Sequence, residues 1–488
     1  MPPSDSVHSP PGRLPLSLCL AFGVGTNGTS TLIGVTGIYL LFFMTTMLGI
    51  EPAIAGALIF ISKIYDLVTD PLMGYLSDRT RTRIGRRRPY LLLGAVVSAA
   101  AAYLMFNVPS FSGDTATMAW YAGVLLLFAT GYTFFSVPYL SMPAEMTADY
   151  HERTRLMSFR TLFGSIGLLI GTAIAPIIVS MGSRGAAGAQ APTILRPADG
   201  ADCVMPPTIA GQVAGSLEGY ALMGSVVALI VLASMALCFF GTSRARFSLR
   251  DEAPTAFLEQ LRFTFRNRPF MLLVATKTLQ LTGVTAFSAG LAFFAQYVVQ
   301  LTGTQLGMFF ALFSLGTMLS LPAWVWYARR VSKKPAYFLA VLMFAVFDLC
   351  LLIPGQGDIA LMLGIGFMIG TSGGGLILLG VSMLPDTIDY DFHMTGQRRE
   401  GIYAGMWSTI EKGSAAIATL FAGAILSWAG YLKTRAGEVA CQPDTALNAI
   451  TFNVAVLPAA VMLLSLLFLS RYDLTRERLA EMAAKRAT

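Results

Sequence analysis

Twelve stretches of this chain stay apolar for about 18 residues or more, enough to cross a lipid bilayer as a helix rising 1.5 Å per residue, and this recurrence limits the fold more than any other feature. They lie at 15–49, 53–77, 89–108, 117–142, 157–182, 218–241, 269–301, 304–327, 335–354, 357–384, 401–430 and 448–470. A lone segment in lipid must satisfy its own backbone hydrogen bonds, so each run predicts a helix. A membrane barrel would instead alternate apolar and polar residues over about ten positions, and these runs do not. The sequence therefore predicts an all-α membrane protein with twelve transmembrane helices. Composition agrees: 12% of residues are charged, about half the share usual in soluble domains. The opening "MPPSDSVHSPPGR" is polar and Pro-rich and runs straight into a span too long for a signal core, so no cleavable signal peptide is expected.

The net charge of +7 raises nucleic acid as a partner, but its placement points to membrane topology instead. Arg79 to Arg88 fall between spans 2 and 3, Arg153 and Arg155 between 4 and 5, and Arg244 to Arg268 between 6 and 7. Further basic residues follow spans 8, 10 and 12, whereas the opposite loops hold only Arg184, Arg196, Lys433 and Arg435. Basic loops stay in the cytoplasm. Even-numbered spans should end inside, with both termini cytoplasmic, in the inner (plasma) membrane of a bacterium.

Two loops repeat. "SMPAEMTADYHERTR" after span 4 and "SMLPDTIDYDFHMTGQRR" after span 10 share Pro, then Asp, an aromatic and His: Pro143, Asp149, Tyr150 and His151 against Pro385, Asp391, Phe392 and His393. The chain is accordingly expected to hold two six-helix pseudo-repeats of the same orientation, a layout that places a transporter's substrate site between the halves. The expected divisions are a tail at 1–14, a bundle at 15–241, a cytoplasmic linker at 242–268, a second bundle at 269–470 and a tail at 471–488. Phe257, Leu261 and Phe265 recur at four-residue spacing in the linker, as in a membrane-surface tether.

Charged residues inside the spans form a short set: Lys63, Asp66, Asp70, Arg160, Lys277, Asp348, Glu411 and Lys412. Each costs several kcal/mol against lipid, so each should face the interior, a cavity or a partner. Asp66 and Asp70, four residues apart, share one helical face. Two such carboxylates in a poorly solvated site call for a shared proton or a cation between them. Hard cations such as Na⁺ favour carboxylate and hydroxyl oxygens, and Thr69 stands beside the pair. The alternative is a structural network in which Lys63 and another base neutralise the acids.

"YDLVTDPLMGYLSDRTRTRIGRRRP" and "DTIDYDFHMTGQRREGIYAGMWSTIEKGSAA" resemble the span 2 and span 11 motifs of the glycoside-pentoside-hexuronide:cation symporters, melibiose-carrier-like members of the major facilitator superfamily, and the likeness covers nearly the whole chain. The resemblance implies the major facilitator fold and alternating access driven by Na⁺ or H⁺, with no cofactor besides the coupling ion. It implies that Asp66 and Asp70 serve the cation, as metal ligands if it is Na⁺, with Thr69 and Ser136 as further oxygen donors. Arg160, Lys412, Glu411 and Ser30 would line the substrate site. "GYLSDRTRTRIGRRR" resembles the superfamily's gate motif, with Asp78 and Arg79 in gating roles. The sugar machinery departs from the pattern. Ser30 and Ser136 stand where sugar-binding aspartates belong, and Leu140 replaces a tryptophan. Symport of a sugar or glycoside is the leading expectation, and symport of a lysolipid or other amphiphile is the alternative, since the related lysolipid symporters also carry a hydroxyl residue at the Ser136 position.

Other signals are set aside. None of the metalloprotease, serine-hydrolase or His/Asp patterns a membrane enzyme would need occurs within a span, so the chain is expected not to be an enzyme; a transporter-like sensor would bind ligand without concentrating it. "GIGFMIGTSGGG" predicts close helix packing rather than a nucleotide loop. His151 and His393 are expected in loops as caps or gate residues. Cys203 and Cys441 occupy equivalent outer loops and are expected to approach each other. Expected partners are a small-molecule substrate and membrane lipid, with no nucleic acid, and the chain is expected to be monomeric.

Overall fold

The computed structural model describes residues 14–111, 113–147, 150–184, 193–196, 203–204, 216–243, 264–395, 400–474, 478 and 481–482. Twelve helices among them are long and apolar enough to cross a membrane. In chain order they are α1 (Leu16–Thr46), α2 (Pro52–Ser77), α3 (Arg88–Phe106), α4 (Asp114–Pro143), α5 (Arg155–Gly182), α6 (Leu217–Gly241), α7 (Arg268–Val299), α8 (Gly303–Val331), α9 (Lys333–Leu352), α10 (Ile359–Thr395), α11 (Gly405–Trp428) and α12 (Asp444–Ser470). Of the expected tether near 254–265, residues 254–263 lie outside the described ones, and Phe265 sits exposed in a short helical turn.

Local chemistry sets several helix ends. The Ser216 and Asn267 side chains accept from the backbone N–H groups of Gly219 and Phe270. Thr302 and Gln305 form a reciprocal capping box at the start of α8. Two of the repeat-bearing loops differ from expectation. The α4 helix continues through Pro143 to Met146, and α10 continues through Pro385 to Thr395, so His393 is helical rather than in a loop. Lys333 at the start of α9 pairs with Asp386 at 2.6 Å and also donates to the Ser382 carbonyl, tying down the turn around Pro385. The side chain of His151 lies outside the described ones.

The two halves repeat one packing scheme. In the first, α1 packs on α5 and α6, α3 on α4 and α6, and α2 on α4. In the second, α7 packs on α11 and α12, α9 on α10 and α12, and α8 on α10. Contacts between the halves obey the same exchange, with α2 on α11 and α5 on α8. This is the major facilitator architecture, and Pro143 and Pro385 lie in the corresponding helices α4 and α10 of the two halves. Each half also opens with a helix carrying a π-helical stretch, Thr36–Leu40 in α1 and Phe294–Val299 in α7.

The halves meet tightly on the side opposite the arginine-rich loops. A Cβ on Gly423 would lie 2.2 Å from the Pro52 carbonyl oxygen, and one on Gly307 would lie 2.6 Å from that of Ala173. Both glycines admit the partner backbone of the other half. Above them the α11–α12 loop lies along the end of α1: the Thr434 and Ala436 N–H groups donate to the Thr45 and Met47 carbonyls, and Arg435 pairs with Asp114. Short strands add to the closure. β1 (Thr193–Leu195) runs parallel to β3 (Glu438–Ala440), and β2 (Cys203–Val204) runs antiparallel to β4 (Gln442–Pro443). The expected approach of Cys203 and Cys441 thus occurs at backbone level, and Cys441 is disulfide-bonded; the Cys203 side chain lies outside the described ones.

The glycine run in α10 is a packing face. A Cβ on Gly370 would sit 2.0 Å from the Phe313 carbonyl oxygen of α8, whereas one on Gly364 meets nothing within 4 Å. Overpacking of this kind costs about 1–3 kcal/mol. Gly370→Val should lower the melting temperature of the detergent-purified protein by several degrees, while Gly364→Ala leaves it within a degree or raises it.

Candidate functional site

Asp66 and Asp70 project from one face of α2 toward α4 and α11. Asp66 is 1% exposed, and its neighbour on the same helix, Lys63, holds an ammonium 3.6 Å from its Oδ2. Asp70 forms an ion pair with Lys412 of α11 across the interface between the halves. From α4, the Thr133 hydroxyl donates to Asp70 Oδ1 at 2.7 Å and lies 3.5 Å from Asp66 Oδ1. One hydroxyl therefore joins both carboxylates. Tyr132 places its ring 5.5 Å from the Lys412 ammonium.

Opposite charges compensate here, but incompletely. Asp66 Oδ2 is buried and has no hydrogen-bond partner among the described residues, since Lys63 stands beyond hydrogen-bond length. Two carboxylates, a hydroxyl oxygen and an unsatisfied lone pair suit a hard cation or a proton. The Lys412 ammonium already supplies one positive charge at this position. An arriving cation would compete with it for Asp70.

A second polar group lies nearby. Trp407 of α11 donates its indole N–H to Glu411 Oε1 at 2.9 Å, and the Lys277 ammonium of α7 lies 5.8 Å from the Trp407 ring centre. Glu411 is within electrostatic reach of Lys277 and of Arg160 on α5. Arg160 Nε is buried without a hydrogen-bond partner among the described residues. Tyr132 is within electrostatic reach of Arg160, Asp66, Asp70 and Glu411.

Residues 21–476 match the model of a family described as MFS/sugar transport protein. The chain belongs to that family. An uncharacterised symporter of Synechocystis (sll1374) is 31% identical over 95% of this chain and 95% of its own length. The putative glycoside/cation symporter YagG of Escherichia coli is 27% identical, covering 94% of this chain and 92% of itself. The sodium-dependent lysophosphatidylcholine symporter 1-A of Danio rerio is 25% identical, covering 91% of this chain and 82% of itself.

Within this MFS sugar-transport chain the residues singled out from the sequence fall into distinct places. Asp66, Asp70 and Lys412 come together, with Lys63 on Asp66 as the alternative network required. Thr69 is turned away: its hydroxyl donates to the Tyr65 carbonyl one turn back at 3.0 Å, a bond helical threonines readily make. Ser136 is buried one turn beyond Thr133 and makes no hydrogen bond to either carboxylate among the described residues. Ser30 faces α5, where a Cβ on Gly164 would lie 3.4 Å from its hydroxyl. Arg79 stacks over Tyr75 of its own helix at 4.0 Å and enters no ion pair among the described residues; the Asp78 side chain lies outside the described ones. Asp348 is fully buried, and neither of its oxygens has a hydrogen-bond partner among the described residues; it faces the interior, one of the settings expected for a charge within a span.

Thr133 was missed by the sequence reading. Its signal is slight: Thr130, Thr133 and Ser136 recur every three residues in an otherwise apolar helix. A hydrogen bond to a charged group contributes about 1.5–3 kcal/mol. Thr133→Ala should weaken the apparent affinity for the coupling cation about tenfold, read by Na⁺ and pH titration of the intrinsic tryptophan fluorescence, while Thr69→Ala shifts it less than about twofold.

Proposed function

We propose that this protein is a secondary active transporter that couples inward movement of Na⁺ or H⁺ to symport of a sugar or glycoside by alternating access. The observation that carries the reading is the Asp70–Lys412 ion pair between α2 and α11, one member from each half, beside a second buried carboxylate. In the proposed cycle, Asp66, Asp70 and Thr133 receive the cation and Lys412 is displaced from Asp70. Substrate binds toward Arg160, Glu411 and Trp407. After release, Lys412 returns to Asp70, so the empty carrier crosses without bare carboxylates. Asp78 and Arg79 would act at the cytoplasmic gate.

The setting belongs to the same proposal. Bundles at 15–241 and 269–470 would move about the interface, joined by the 242–268 segment. The arginine-rich loops and both termini would face the cytoplasm of a bacterium, making the closure around Arg435 and Asp114 an outer gate. The working unit would be a monomer with no cofactor and no enzymatic step.

Ser30, Ser136 and Leu140 replace the acids and the aromatic expected of a melibiose-type sugar site, which favours a second reading, symport of a lysolipid. Proteoliposome uptake separates the two. Under an imposed Na⁺ or pH gradient, a labelled glycoside panel should yield at least one substrate accumulated above equilibrium, and lysophosphatidylcholine should not compete. Accumulation of the lysolipid alone would overturn the sugar reading. Asp70→Asn should abolish accumulation while leaving substrate exchange measurable; unchanged accumulation would remove Asp70 from coupling.

A further inference from the structure

An open cavity of about 380 Å³ lies at the closed end of the seam between α2 and α11, where Glu51, Arg196, Ser427, Tyr431 and Lys433 are among its lining residues. Both halves build it. Glu51 stands at the start of α2 and Arg196 follows β1, whereas Ser427 belongs to α11 and Lys433 to the loop beyond. The Ser427 hydroxyl donates to Glu51 Oε1 at 2.5 Å across the seam. Charge of both signs is present, yet the charged groups do not pair with one another. Among the described residues Glu51 and Arg196 form no ion pair, and Lys433 reaches only Asp114 at 3.8 Å, a carboxylate already taken by Arg435. The depth of the cavity is marked by Trp428, next to Ser427, which is 95% exposed at the end of α11. Indole rings favour the headgroup level of a bilayer. Ile417 and Phe421 are exposed along the same face of α11 below it, as a wall for an acyl chain.

We propose that this cavity binds the headgroup of a zwitterionic phospholipid, phosphatidylethanolamine, from the leaflet that the arginine-poor loops face. The phosphate lies against Arg196 and Lys433, the guanidinium fork meeting two of its oxygens and the ammonium supplying a point charge. The headgroup ammonium donates to Glu51, a charge-assisted bond to the acceptor that the basic residues leave unused. A purely anionic headgroup would be repelled by Glu51, and a simple cation would meet two bases, so only a ligand of both signs uses the whole cavity. Glu51 and Arg196 come from the first half, and Ser427 and Lys433 from the second. A bound lipid therefore bridges the closed face and resists its opening. The site stands at the end of α2 and α11, apart from the Asp66, Asp70 and Lys412 group at mid-depth, and the lipid is a ligand of the seam rather than transported cargo. The inference holds whichever substrate the protein carries.

The test titrates the delipidated, detergent-purified full chain with phosphatidylethanolamine and with phosphatidylglycerol of the same acyl chains, read by native mass spectrometry. The wild type should bind phosphatidylethanolamine about fivefold or more tightly than phosphatidylglycerol. Glu51→Gln removes the acid and leaves two cations, so it should invert that order, whereas Glu51→Asp keeps it. Arg196→Gln should weaken both lipids about fivefold, and Arg330→Gln, on the arginine-rich side, should change neither. Soluble O-phosphoethanolamine at the same concentration should not displace the lipid. Three results would overturn the inference: phosphatidylglycerol bound as tightly as phosphatidylethanolamine by the wild type, an unchanged order in Glu51→Gln, or displacement by O-phosphoethanolamine, which would make the cavity a site for a free phosphate ester.

Discussion

The Asp70–Lys412 ion pair is the interaction on which the rest of this molecule depends. It is the described charge contact between the halves in the middle of the spans, and it joins α2 to α11. The Lys412 and Asp70 side chains are 17% and 23% exposed, so removing one member costs less than the about 3–5 kcal/mol of a fully buried pair. In the proposed cycle the pair holds the halves in register while no ion is bound, and a cation that takes the carboxylates releases that hold. Thr133 bridges the two acids, and Lys63 steadies Asp66 from one turn away without reaching hydrogen-bond distance.

The ion pair works against a second set of contacts on one face. Backbone pairing of 434–436 with the end of α1, the short strands and the Arg435–Asp114 pair close that side, and the glycines of α8 and α11 allow backbone contact below. Closure at one end with the Asp70–Lys412 link at mid-depth suits the alternating access proposed above. Opening the closed face means breaking main-chain hydrogen bonds, so the energy of ion and substrate binding has a defined structural target.

Much of this was legible in the sequence because lipid makes the rules strict. Long apolar runs can only be helices, so the twelve spans follow from length alone. Asp66 and Asp70 stood out because a carboxylate in such a run has few excuses, and Lys412 did so for the same reason. Thr133 did not, since a hydroxyl satisfies itself within a helix and betrays a partner only once α2 and α4 are packed. Thr69 looked equally suitable by position, yet its own helix offered the Tyr65 carbonyl. Pro143 and Pro385 resembled boundaries because proline removes a helical donor, but the structure carries both helices past them, in α10 with the help of the Lys333–Asp386 pair. The strands at 193–195 and 438–440 have no local signal; they form because loops from both halves meet.

The central claim, that the Lys412 ammonium and the coupling cation compete for Asp70, is tested most directly by a cation titration of Lys412→Met. Purified wild type and variant are compared by Na⁺ titration at fixed pH and by pH titration without Na⁺, with tryptophan fluorescence as the readout. Removal of the competing ammonium should raise the apparent affinity for the coupling cation about tenfold or more. An unchanged or weakened affinity would mean that Lys412 and the cation do not share the site.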